Sequence, residues 1–179
     1  MSMTNIFKIL ADTSQERDIA LVLVGGWALN AYGVSRQTLD VDFLIDETDF
    51  GALRKALTDH SYQQVYKDHV FAKLRSERAD NLDIDLLFVD SSTIDAVVVE
   101  GRDLTIEGAS FRVPSLLHLV AMKLHALKNN EANRRLRDLP DIMALIEANS
   151  LDVADASFKD ACLKYGTPEL YNKICNSIV

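Results

Sequence analysis

Apolar and polar positions along this chain follow two rhythms, and the switches between them mark its elements. The first rhythm is helical: Ile6, Ile9 and Leu10 share one side of residues 4–18, with Asp12, Glu16 and Arg17 on the other. "IALVLVGG" is then a continuous apolar run closed by glycine, the pattern of a strand buried on both faces. "WALNAYG" supplies a short helix stopped at Gly33. "LDVDFLI" alternates strictly, setting Asp40, Asp42 and Leu44 against Val41, Phe43 and Ile45, which predicts a strand. A helix over "TDFGALRKALTDH", capped by Thr48 or Asp49, leads to three more strands in "SYQQVYK", "HVFAKLRSE" and "NLDIDLLFVD". "DLTIEGASFRV" reads as a hairpin turning near Glu107–Gly108.

From Pro114 the texture becomes helical. "SLLHLVAMKLHALKNN" opens at Pro114 or Ser115, and "RRLRDLPDIMALIEAN" follows, with Pro140 either kinking one helix or separating two. Two short helices, around 153–164 and 168–178, finish the chain. The expected architecture is α/β (α+β): a mixed-sheet core over residues 1–113, and a helical C-terminal part over 114–179 packed on that core in one domain.

Composition narrows the field. With 179 residues, 48 % hydrophobic and 26 % charged, the chain has the make-up of a soluble globule with a real core. A net charge of −8 argues against a general nucleic-acid coat protein or a binder of anionic membranes, while leaving room for a local basic site. No apolar run is long enough for a membrane helix, and "MSMTNIFKIL" lacks the apolar block of a signal peptide. Cys162 and Cys175 have neither CxxC spacing nor a disulfide framework. The expectation is a cytoplasmic protein with reduced thiols.

The chemistry concentrates in carboxylates. Strand residues i and i+2 share a face, so Asp40 and Asp42 project together, and so do Asp83 and Asp85 in "LDIDLLF". Paired acids among Val, Ile, Leu and Phe need compensation, and hard Mg²⁺ selects carboxylate oxygen while keeping sites for a substrate phosphate. If the two strands lie side by side, the four acids form a two-metal site for phosphoryl or nucleotidyl transfer. The alternative is two solvated faces of edge strands. Gly25–Gly26, between a buried strand and a helix, suits close approach of a phosphate, although glycine at such a turn is also ordinary.

Val24-Gly25-Gly26, a short helix, Asp40-Val41-Asp42-Phe43 and a later strand acid together resemble the nucleotidyltransferase superfamily, the fold of DNA polymerase beta. "GGWALNAYG" through "RQTLDVDFLID", then "IDLLF", "VPSLLHLVAMKLHAL" and "RRLRDLPDIMAL", look like its AbiEii-type branch, which includes toxins of bacterial toxin–antitoxin systems. The resemblance spans roughly residues 20–147. It implies a mixed sheet flanked by helices and Mg²⁺-dependent transfer of a nucleoside monophosphate from an NTP to a hydroxyl. It further implies that Gly25 and Gly26 hold the triphosphate and that Asp40 and Asp42 bind both metals. Asp85, with Asp83 as the competing register, would bind the catalytic metal and draw the proton from the attacking hydroxyl. Lys123 matches the family's phosphate-contacting lysine; the plain alternative is a solvated lysine. Arg36 would meet phosphate or pair with a nearby acid. Arg137-Asp138 stands where the branch commonly carries Lys-Asp. Gly-Gly-Trp at the turn resembles the small antibiotic nucleotidyltransferases, so the acceptor is either RNA, as for a tRNA-modifying toxin with an antitoxin protein as partner, or a small hydroxylated molecule. A non-catalytic binding partner of the same fold is the third reading.

Residues 112–137 set Arg112, Lys123, Lys128, Arg134, Arg135 and Arg137 against Glu131, a net of +5 that predicts a landing site for triphosphate or an RNA end. Arg134 and Arg137 are favoured because they lie one turn apart on one face. The alternative is a solvated helical face. His118 and His125 have no HExxH context or cysteine partner, so zinc is not expected. Trp27 reads as core packing before base stacking. No P-loop, dinucleotide fingerprint or nucleophile elbow occurs.

Overall fold

A computed structural model describes residues 5–78 and 81–178, apart from the side chains at 131 and 133. Two compact units divide the chain: residues 1–31 with 35–114, and residues 32–34 with 115–179.

The first unit is built on a seven-stranded sheet in the order β3-β4-β5-β2-β1-β7-β6. Its strands are β1 (Val22–Val24), β2 (Asp40–Asp46), β3 (Tyr62–Lys67), β4 (Phe71–Ser76), β5 (Asp83–Val89), β6 (Arg102–Ile106) and β7 (Ala109–Val113). The sheet is mixed: β2 with β5 and β1 with β7 run parallel, and the other neighbours are antiparallel. β1 sits inside the sheet and is buried at every residue, which accounts for its unbroken apolar run. The helices of this unit are α1 (Ile6–Arg17), α2 (Gly25–Ala28), α3 (Phe50–Thr58) and α4 (Ser91–Glu100). The inward row of β2, Val41, Phe43 and Ile45, is fully buried. Phe43 meets Phe111 of β7 with ring centroids 5.2 Å apart, and Phe111 meets Phe7 of α1 at 6.1 Å, so aromatic contacts fasten α1 over that face. The opposite row of β2 starts with Asp40 and Asp42 and is only half-buried there.

The predicted elements appear with boundaries shifted by a few residues; Thr4, the expected start of the first helix, lies outside the described residues. The hairpin turns at Glu107 and Gly108, both at positive φ, 50° and 82°. Asp49 is the N-cap of α3, one of the two expected positions, but makes no side-chain cap bond; Asp46 caps the preceding 3-10 turn at Glu47–Asp49 by accepting from the Thr48 N–H. One local reading changes: α4 occupies a stretch for which the sequence reading has no element. Asp90 caps it by accepting from the Thr93 N–H, and Ile94 and Val97 are its buried positions.

The second unit contains α5 (Leu116–Asn129), α6 (Glu131–Ala148), α7 (Ala156–Tyr165) and α8 (Pro168–Ser177). Pro140 lies inside α6, so one continuous helix replaces the two-helix alternative. Leu124, Leu127, Ile142, Leu145, Phe158 and Cys162 are buried in this unit. Asn149 donates to the Tyr32 carbonyl at 3.0 Å, which ties residues 32–34 to the helices rather than to the sheet. Cys162 and Cys175 are free thiols, and burial pushes Cys162 up to about 12, the behaviour of a core residue. Among the described residues no helix is long and apolar enough to cross a membrane.

Candidate active site

Parallel pairing of β2 with β5 fixes the register of the acids: Asp40 is opposite Asp83 and Asp42 is opposite Asp85. Register partners on neighbouring strands share a face, so the four carboxylates lie in two adjacent rows on one side of the sheet. Antiparallel β4 extends the second row by placing Lys73 opposite Asp85, and on the other side Val24 of β1 stands opposite Asp42. β1 ends there, and the chain turns into α2 at Gly25.

That turn is shaped around the acids. Gly25 has φ of +64°, and a Cβ built on it would lie 1.9 Å from Asp42 Oδ2, so only glycine lets the Asp42 carboxylate sit against the turn. A Cβ on Gly26 would lie 2.8 Å from Arg36 Nη2 and 3.2 Å from Thr38 Cβ, so the second glycine admits the Arg36 guanidinium to the same bend. Trp27 Nε1 donates to the Asp40 carbonyl at 3.1 Å while its ring packs edge-on against Phe7, centroids 5.0 Å apart. Trp27 is half-buried and pins the turn to β2. The Thr38 hydroxyl donates to Asp40 Oδ1 at 2.6 Å and orients it.

The acids of β5 are turned toward cations of β4. Lys73 Nζ lies 3.0 Å from Asp85 Oδ1, with 26 % and 19 % of the two side chains exposed. Arg75 Nε lies 3.3 Å from Asp83 Oδ2, the arginine being 62 % exposed. Burial raises the Asp85 carboxyl above its usual range; Lys73 opposes the shift, and the charges of Asp40 and Asp83 add to it. Lys73 is the cation at Asp85 Oδ1, which is a buried oxygen. With the β5 side chains so engaged, no three acidic, histidine or cysteine side chains among the described residues form a ready metal cage. The donor set still fits a hard divalent cation: carboxylate oxygens in register, one of them buried, beside a glycine cradle that a Cβ would fill. Lys73 and Arg75 are absent from the sequence reading, although the alternation of "FAKLRS" puts both on one face.

The cations of the basic segment have different surroundings. Arg112 belongs to the sheet unit, where it donates to the Val98 carbonyl at 2.7 Å and pairs with Asp103 at 3.2 Å. Lys123 is buried in the helical unit, its Nζ 2.6 Å from Asp141 Oδ2 and 3.2 Å from Asp138 Oδ1, so the solvated-lysine alternative fails. A phosphate would have to compete with two carboxylates for it. Arg134 Nη1 lies 3.6 Å from Asp138 Oδ2, whereas Arg137 is exposed. Lys128 and Arg135 are exposed as well, and Leu136, between the last two arginines, is 91 % exposed. The charge of +5 thus divides among a sheet contact, a buried cluster and exposed residues at the end of α5 and on α6.

The model of a protein family described as nucleotidyl transferase AbiEii toxin, type IV toxin–antitoxin system, matches residues 8–174. No curated protein matches the sequence significantly. Among solved structures, ANT(2")-Ia in complex with adenylyl-2"-tobramycin is similar over 97 % of this chain and 97 % of its own, at 17 % identity and a TM-score of 0.57. The lincosamide antibiotic adenylyltransferase LnuA, lincomycin-bound, is similar over 78 % of this chain and 95 % of its own, at 14 % identity and a TM-score of 0.54. A putative nucleotidyltransferase from Thermotoga maritima covers 73 % of this chain with 89 % of its own, at 14 % identity and a TM-score of 0.52. At such identities these structures establish the fold alone.

Proposed function

The chain belongs to the AbiEii nucleotidyl transferase toxin family and is a nucleotidyltransferase, and from that premise we propose that it moves a nucleoside monophosphate from an NTP to a hydroxyl of RNA, with Mg²⁺ as cofactor and an antitoxin protein as its controlling partner. The observation that carries this reading is the in-register pairing of Asp40 and Asp42 with Asp83 and Asp85 beside the Gly25–Gly26 turn.

Asp40, Asp42 and Asp85 would hold divalent cations, which when bound neutralise phosphate charge and acidify the attacking hydroxyl. The chain's own residues supply position. Gly25 leaves room for the Asp42 carboxylate, and Thr38 fixes the direction of Asp40. Arg36, packed on Gly26, faces the triphosphate as a fixed cation. Asp85 accepts the proton of the acceptor hydroxyl, and Asp83 sits one step further along the same face. The hydroxyl oxygen bonds to the α-phosphorus as that phosphorus loses its bridging oxygen and pyrophosphate leaves, so catalysis is alignment and electrostatics without a covalent intermediate. Lys123 would contact phosphate only on release from one of its aspartates. Within the helical unit, Arg137 is exposed on α6 and open to a phosphate, whereas Arg134 is held near Asp138.

Incubation with each labelled NTP, Mg²⁺ and total bacterial RNA, resolved on a gel, tests the proposal. Label should enter an RNA band with one NTP and fail to enter it with Asp42→Asn. Labelled RNA at undiminished rate in that variant would refute the assignment. Gly25-Gly26-Trp27 supports a second reading in which the acceptor is a small hydroxylated molecule, as in the antibiotic-modifying relatives of this fold. Label in an aminoglycoside or lincosamide product, with none in RNA, would select it.

A further inference from the structure

Lys73 has no task in the mechanism above, yet its placement is unusual for a strand lysine. It stands opposite Asp85 on antiparallel β4, shares the face of the four acids, and keeps its ammonium 3.0 Å from Asp85 Oδ1 with both side chains sheltered from solvent. Its companion Arg75, two residues on, reaches Asp83 from a much more exposed position. Four carboxylates in register would repel one another, and a fixed cation at the sheltered Asp85 offsets that repulsion. The oxygen that Lys73 approaches is itself buried, so a divalent cation that binds it must displace the ammonium. An ammonium and a divalent ion cannot share it without mutual repulsion.

We infer that Lys73 is a positioning residue that holds the Asp85 carboxylate in place and gives it up when a divalent cation binds, so that metal affinity is set by competition with the chain's own lysine. The inference rests on the proposed role of Asp85 as a metal ligand. It makes Lys73 a resident charge that keeps the acidic rows folded without metal and raises the metal concentration at which the site fills.

Mn²⁺ binding to the full chain without NTP, followed by the paramagnetic resonance signal of the free ion, tests it. Lys73→Met should bind Mn²⁺ about tenfold more tightly than the unmodified chain, and Lys73→Arg, which keeps the charge, should stay close to it. In a chain that already carries Asp85→Asn, adding Lys73→Met should leave Mn²⁺ affinity unchanged. Equal or weaker Mn²⁺ affinity in Lys73→Met overturns the inference. The unmodified chain gives a second readout in case that variant folds poorly: adding Mg²⁺ should increase acetylation of Lys73 by acetic anhydride, measured by peptide mass spectrometry. Unchanged or reduced acetylation overturns it too. Neither readout involves nucleotide transfer. A chain with the expected Mn²⁺ ranking but no transfer would refute the proposed function alone, and a chain that transfers while ignoring the lysine substitution would refute this inference alone.

Discussion

Each unit of this protein sets a lysine against aspartates, and burial gives the two arrangements different work. In the sheet unit Lys73 meets Asp85 at 3.0 Å with roughly a quarter of the lysine side chain exposed, beside three further acids in register. In the helical unit Lys123 lies 2.6 Å from Asp141 and 3.2 Å from Asp138, with 8 %, 5 % and 4 % of the three side chains exposed. The buried trio sets one ammonium against two close carboxylates, with Arg134 further off at 3.6 Å. The sheet array carries more acid than the cations of β4 balance, and it opens beside a glycine turn. A closed cluster of charge fixes how helices pack, whereas an open, acid-rich one is suited to a cation and the phosphates that follow it.

The sharpest way to break this contrast is Lys123→Met. Removing one partner of a buried ion cluster leaves two carboxylates facing each other in a dry interior, which costs about 3–5 kcal/mol. At about 2–4 °C per kcal/mol for a chain of this size, the melting temperature should fall by about 10 °C, and adding Asp141→Asn should recover part of the loss. An unchanged melting curve together with lost transfer would show that the helical cluster is catalytic machinery and that the contrast drawn here is wrong.

Asp42→Asn should behave in the opposite way. Transfer should drop about 10³-fold, equivalent to about 4 kcal/mol of transition-state stabilisation, while the melting temperature moves by no more than about 2 °C. A large loss of stability in this variant would place Asp42 with the structural charges. Gly25→Ala comes next. Its left-handed backbone strain costs about 1–2 kcal/mol, and the added methyl would displace the Asp42 carboxylate that lies 1.9 Å from the ideal Cβ position. Mn²⁺ affinity and transfer should therefore fall together, with a modest drop in melting temperature. Loss of stability with metal affinity retained would mean that Asp42 can reach its role from elsewhere.

The same contrast explains what was legible in the sequence. Alternation placed Asp40 with Asp42 and Asp83 with Asp85, because period-2 geometry is local. That these pairs are neighbours depends on the parallel pairing of β2 and β5, a long-range fact for which the sequence offers only the family likeness. Lys73 and Arg75 were equally visible as a same-face pair, but their meaning depends on β4 lying beside β5. Lys123 occupies a helix whose periodicity gives its element but not the partners on α6 that enclose it. The helix α4 escaped because "STIDAVVVE" is rich in β-branched residues and carries no clear amphipathic period. The Asp90 cap followed by Ser91, Ser92 and Thr93 was the signal that could have found it.

Arg75→Ala carries the smallest effect and tests whether shelter, rather than the count of charge pairs, separates the two regions. Arg75 pairs with Asp83 at 3.3 Å, but it is 62 % exposed, so solvent screens the pair and a mobile side chain loses entropy in making it. The substitution should cost less than about 0.5 kcal/mol, a melting shift of about 1–2 °C that vanishes in molar salt. Set beside Lys123→Met, it compares ion pairs of similar length whose main difference is access to water. A loss for Arg75→Ala approaching that of Lys123→Met would mean that the acidic rows need both β4 cations to stay folded. The sheet site would then be a structural charge network like the helical one, and no longer a cradle waiting for a cation.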